Sequence, residues 1–124
     1  MKFYIMKNLF KILSLLFTLL FIWAGYVQYN DPDALLWYAI YGLAAAASLL
    51  FYLGKLKVTG AFVLSGIYFV GTVFMWPEQY EGVTIGNGDI ENIERGRESL
   101  GLLIVALVML LYAFRLRLTN KSKV

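Results

Sequence analysis

The chain has 124 residues with 60% hydrophobic and only 15% charged side chains, a net charge of +3, and neither cysteine nor histidine. That balance, with a mean hydropathy of +0.69, lies outside the range of soluble globular domains and points to one small membrane-embedded domain over residues 1–124. The missing residue types exclude disulfides, thiolate metal sites, cysteine nucleophiles, histidine-ligated haem and histidine-based triads.

The charges are segregated along the chain. Uncharged windows run from Ile12 to Asn30, Ala34 to Gly54, Val58 to Pro77 and Ser99 to Phe114. A helix needs roughly 20 apolar residues to cross a hydrocarbon core about 30 Å thick. Three windows reach that length and the fourth is short. The expected fold is therefore an all-α, four-span transmembrane helical bundle of antiparallel hairpins. Its spans are placed near 10–29, 33–53, 58–76 and 97–115, with an outer loop at 77–96 whose second half is helical.

The first helix follows Lys2, Lys7 and Lys11. Its basic start suggests a signal peptide, but Trp23-Ala24-Gly25-Tyr26 offers no small-x-small cleavage site, so a retained span is expected. Ser14, Thr18, Phe21, Gly25 and Gln28 recur at steps of four and three, which puts them on one face. Leucine, phenylalanine and isoleucine fill most of the remainder and suit lipid.

Gln28-Tyr29-Asn30-Asp31-Pro32-Asp33 is a polar island between the first two runs, and a helix-start signal. Asp31 is expected to cap the second helix, Pro32 to take its first position and Asp33 to face its positive end. The first helix should stop near Tyr29 or Asn30, because the residue before a proline is pushed out of the helical region.

Small and polar stripes continue in the later spans. The second carries Tyr38, Tyr41, Ala45, Ser48 and Tyr52; the third Ala61, Ser65, Tyr68 and Thr72; the fourth Ser99, Leu102, Ala106, Met109 and Ala113. Membrane helices associate through such small residues and through interhelical hydrogen bonds, so these stripes are expected to pack together. Tyr41 and Tyr68 could instead line a cavity for a lipid or quinone, the less favoured reading. Trp23, Trp37 and Trp76 near the outer ends, and Tyr4, Tyr52 and Tyr112 near the inner ends, read as interfacial belts. No charged residue lies inside a window, which argues against a pump or coupled transporter.

The long connection from Pro77 to Glu98 is turn-rich around Gly82 and Gly86-Asn87-Gly88, then helical from Asp89, a candidate cap. Glu91 and Arg95 are spaced to support that helix. Glu94, Arg95, Arg97 and Glu98 complete an outer cluster with Asn30, Asp31 and Asp33. Arg97 and Glu98 belong at the bilayer interface, with Asp31 and Asp33 as natural neighbours there. Three readings apply: a structural network in which arginines pair with acids, an oxygen-ligand site for Ca²⁺ or Mg²⁺, or paired carboxylates acting as acid and base. The structural one is preferred. No catalytic residue, metal ligand or cofactor is assigned, and no phosphate loop or nucleophile elbow is present.

Nine of the eleven basic residues fall on one side of a four-span arrangement, while all eight acids fall on the other. By the positive-inside rule both termini are expected in the cytoplasm. The basic patches serve topology and anionic lipid rather than nucleic acid. The expected partners are the lipid bilayer and a membrane protein or second copy, in a bacterial inner (cytoplasmic) membrane.

The hairpin Gln28-Tyr29-Asn30-Asp31-Pro32-Asp33 with Trp37 and Tyr41, and the charged Arg97-Glu98 before Gly101-Leu102, resemble the transmembrane family 220 proteins. The resemblance runs from the first helix to the fourth. It implies a small four-helix integral membrane protein, of a kind found in bacteria and animals, with no established activity and no catalytic residues to carry over. The function expected is therefore non-enzymatic, through helix packing and partner contact. The alternative is a small lipophile- or cation-binding protein or transport accessory, and a lipid enzyme is a more remote third.

Overall fold

A computed structural model describes residues 2–86 and 88–122, with side chains described for 5–86 and 88–119. The chain forms four α-helices: α1 (Lys2–Tyr26), α2 (Ala34–Tyr52), α3 (Val58–Met75) and α4 (Ile90–Ser122), with no strand among the described residues. All four are long and apolar enough to cross a membrane. They make two compact units, Met1–Leu56 and Lys57–Val124, each a helical hairpin.

In the first hairpin, α1 passes into one turn of 3₁₀ helix, Val27–Asn30. The α-helix thus ends at Tyr26, before the stop expected at Tyr29 or Asn30. The tighter turn carries the chain up to Pro32, which blocks helical geometry at the residue before it. The face of α1 that turns inward is the expected one: Ser14, Thr18, Phe21 and Gly25 are buried and Gln28 is half-buried. Inside that face Ser14 Oγ donates to the Lys11 carbonyl and Thr18 Oγ1 to the Ser14 carbonyl, at 2.9 and 2.7 Å. Their hydroxyls are thereby satisfied without a charged partner, as an apolar setting requires.

On α2 the buried face is rotated from the expected stripe. Tyr41, Ala45 and Ser48 are buried, but Tyr38 is exposed and Tyr52 half-buried, while Trp37, Ala44, Ala47 and Phe51 take the inner positions. The stripe was counted from polar side chains. In the fold, the alanines give close approach and the two large apolar rings fill the space beside them. Trp37 is thus a core residue, 2% exposed, and not part of an interfacial belt. Its ring packs on Tyr41 with centroids 6.1 Å apart. Trp23 and Trp76 are exposed, at 62% and 44%. At the opposite end of the hairpin Phe10 meets Phe51, with centroids 6.3 Å apart.

The second hairpin follows its pattern closely. The buried residues of α3 are Ala61, Ser65, Tyr68 and Thr72. Those of α4 include Ser99, Leu102, Ala106, Met109 and Ala113, joined by Ile93, Val105, Val108 and Tyr112. Ser65 Oγ donates 2.8 Å to the Ala106 carbonyl, a hydrogen bond between the two helices. Burial of Tyr112 corrects its expected place in an inner belt. It is fully enclosed, the largest such side chain among the described residues. α4 is one continuous helix from Ile90, so the charged segment from Glu91 to Glu98 and the last apolar run are a single element.

Candidate functional site

The candidate residues divide between the hairpins. Gln28, Asn30, Asp31, Asp33, Trp37 and Tyr41 belong to the first, and Tyr68, Glu94, Arg95, Arg97 and Glu98 to the second.

In the first hairpin the polar turn is closed by the backbone. Asp31 N–H donates to the Gln28 carbonyl at 2.9 Å, and Ala34 N–H to the Asp31 carbonyl at 3.0 Å. Asp31 Oδ1 accepts the Asp33 N–H at 2.7 Å. The expected order of cap, proline and first-turn acid is corrected by one step. The helix begins at Ala34 with Asp33 at its N-cap, and no side-chain cap bond comes from Asp33 itself. The Asp31 carboxylate folds the preceding turn instead, as aspartate does when its side chain reaches two residues on. Pro32 sits inside that turn rather than at the first helical position. Gln28 Nε2 donates back to the Ala24 carbonyl at 3.2 Å, and Asn30 is the exposed end of the 3₁₀ turn.

In the second hairpin the connection from Trp76 to Asp89 is held on the first turns of α4. Glu81 Oε2 accepts the Asp89 N–H at 2.7 Å and the Asn92 Nδ2 at 3.3 Å. Asp89 Oδ1 accepts the Glu91 N–H at 3.0 Å, a helix cap. Both arginines reach backbone carbonyls. Arg95 Nη2 donates to Phe74 O at 3.0 Å and Arg97 Nε to Val83 O at 2.6 Å. These bonds tie the arginines to the carbonyls of Phe74, at the end of α3, and Val83, in the loop. Such groups lack an intrahelical partner and attract a cationic donor. Glu94 is exposed and Glu98 half-buried.

Gly96 lets the loop lie flat on α4. A Cβ there would stand 3.1 Å from the Gly82 carbonyl oxygen and 3.6 Å from the Tyr80 ring, which is itself stacked on Trp76 at 5.5 Å. A branched side chain must displace backbone, a strain of about 1–3 kcal/mol. Gly96→Val is expected to lift the loop and to raise cleavage after Glu81 by a glutamate-specific protease about tenfold or more, with helix content unchanged. Equal cleavage of the two proteins would show that the loop is not held at Gly96.

Glu81 is the residue that sequence reasoning missed. Its contact closes over eight residues of loop, where no periodicity applies; the only signal was a lone acid beside Gly82 ahead of a helix start. Among the described residues no three acidic side chains are placed to hold a metal ion. An open groove of about 220 Å³ on the first hairpin is lined by Phe21, Ile22, Gly25, Tyr26, Tyr38 and Gly42. Tyr41 does not line it and is packed under Trp37; Tyr68 is buried in the other hairpin, its carbonyl accepting Thr72 Oγ1 at 2.9 Å.

A family model described as "Transmembrane family 220, helix" matches residues 20–114, from the last third of α1 into the last third of α4. No solved structure matches the chain.

Proposed function

The chain belongs to transmembrane family 220, and from that premise we propose a non-enzymatic integral membrane protein that acts by contact through its polar outer turns. One observation supports this reading. Four charged side chains of the polar turns are engaged by backbone groups: Asp31 on Asp33, Glu81 on Asp89, Arg95 on Phe74 and Arg97 on Val83. They shape two surfaces, the 28–33 turn and the 76–89 loop. In this reading both lie on the extracytoplasmic side of a cytoplasmic membrane with both termini inside, an orientation that the charge asymmetry supports. The lipophile-binding alternative has less behind it, because Tyr41 and Tyr68 are packed.

The absence of cysteine makes the topology directly measurable. In intact cells a membrane-impermeant maleimide is expected to label Gln79→Cys, and to label Lys57→Cys only after permeabilisation. The reverse pattern would overturn the orientation. For contact, a photocrosslinker at position 79 is expected to capture a second copy or a partner. Arg97→Gln, which releases Val83, should reduce that yield several-fold. A purified chain that turns over a lipid, and loses turnover on Asp31→Asn, would overturn the non-enzymatic reading.

A further inference from the structure

The end of the first hairpin opposite Asp31 has features that the contact reading leaves unused. α2 stops in a left-handed turn at Gly54, φ 75°. Lys55 N–H donates to Leu50 O at 2.8 Å and Gly54 N–H to Phe51 O at 3.0 Å. This closing motif satisfies the carbonyls that a terminal lysine would otherwise cover. Lys55 is thereby left exposed at the negative end of the helix dipole. Lys11 Nζ lies over the Tyr52 ring at 5.6 Å, a cation–π contact that ties the start of α1 to the end of α2. Lys7 is four residues earlier on α1, on the same face and also exposed.

The acids of this hairpin are Asp31 and Asp33. They are 20 or more residues from Lys11, about 30 Å along a helix, and beyond several screening lengths. The three ammonium groups therefore form a positive patch with no carboxylate from its own hairpin. Exposed apolar side chains stand on the same turns of the two helices, Leu9 and Ile12 on α1 and Leu49, Leu50 and Leu53 at the end of α2. A free phosphate would use only the ammoniums. A molecule with an anionic head and hydrocarbon tails would use both.

We propose that this end of the α1–α2 hairpin is a binding site for an anionic phospholipid. Lys7, Lys11 and Lys55 donate to the headgroup phosphate, Tyr52 holds Lys11 in place, and the acyl chains lie against exposed leucines of these turns. Basic pockets between membrane helices are a recurring way to select such headgroups. The site holds whichever side of the membrane it faces, so its failure and a failure of the proposed orientation are separate outcomes.

The test is native mass spectrometry of the full chain, released from micelles containing equal phosphatidylglycerol and phosphatidylcholine. The wild-type chain is expected to retain phosphatidylglycerol preferentially. Each lysine removed should weaken that preference about fivefold. Lys11→Gln with Lys55→Gln should nearly abolish it, Lys11→Arg should preserve it, and Arg115→Gln with Arg117→Gln should leave it intact. If the double lysine variant does not fold, Lys55→Gln alone, outside the helix, carries the test. Equal loss in the lysine and arginine double variants would overturn the site in favour of diffuse charge attraction, as would no preference in the wild type.

Discussion

Trp37→Ala is expected to destabilise the first hairpin by about 3 kcal/mol, against less than about 1 kcal/mol for Trp23→Ala or Trp76→Ala. The three tryptophans look alike in the sequence, each near the outer end of an apolar run, and they differ in burial. Only Trp37 is enclosed, against Tyr41. Its removal leaves a void on a rigid helix pair rather than an opening that lipid fills at once. The value lies at the low end for a buried aromatic ring. In a membrane the truncated site is compared with hydrocarbon rather than water, so the loss is packing attraction more than the hydrophobic effect. The measurement is unfolding by SDS titration in mixed micelles, followed by far-ultraviolet circular dichroism. Trp37→Phe should recover about half the loss. Equal effects for all three alanine variants would return Trp37 to the interface.

Tyr112→Ala should have a comparable effect on the second hairpin, about 3 kcal/mol in the same titration. Tyr112 sits in the α4 face that also buries Val105, Val108 and Met109, with no exposed surface. Phe62 and Phe114 close the same end of the hairpin edge to face, with centroids 5.7 Å apart. A cavity there cannot be filled by a neighbouring side chain without breaking that contact. Tyr112→Phe keeps the ring and should cost no more than about 1 kcal/mol. Tyr38→Ala is the control, since Tyr38 is exposed. Loss of stability in that variant equal to Tyr112→Ala would mean that burial does not order these positions.

Both expectations turn on what the sequence made legible. Steps of three and four located the inner faces of α1, α3 and α4, because small and polar residues in a membrane helix have few places to go but inward. On α2 the same rule erred. Tyr38 and Tyr52 lie near the ends of the span, where a tyrosine hydroxyl can reach the polar interface, so they need no inward partner. Trp37 and Phe51, assigned to no seam, took the inner positions. The charged residues were legible as a set, but the backbone groups they bind were not. A carboxylate and a guanidinium in neighbouring turns suggest each other. Yet each also has backbone groups within reach, and those of Phe74, Val83, Asp33 and Asp89 are positioned by the turns themselves. No spacing rule in the sequence reports on a contact made by a loop that folds back.

The continuity of α4 has a further consequence. Its uncharged stretch, Ser99–Phe114, is 16 residues long, about 24 Å at 1.5 Å per residue, against a hydrocarbon thickness of about 30 Å. α4 contains no proline, since the chain's two are Pro32 and Pro77, so it has no kink point of that kind. A longer apolar helix relieves a mismatch by leaning over, but leaning only shortens the height that this one covers. A span of this length is expected to be accommodated by flanking arginines reaching to the interface and by local thinning of the bilayer. Hydrophobic thickness then becomes a selector of where this protein resides, favouring thin membranes over thick ones.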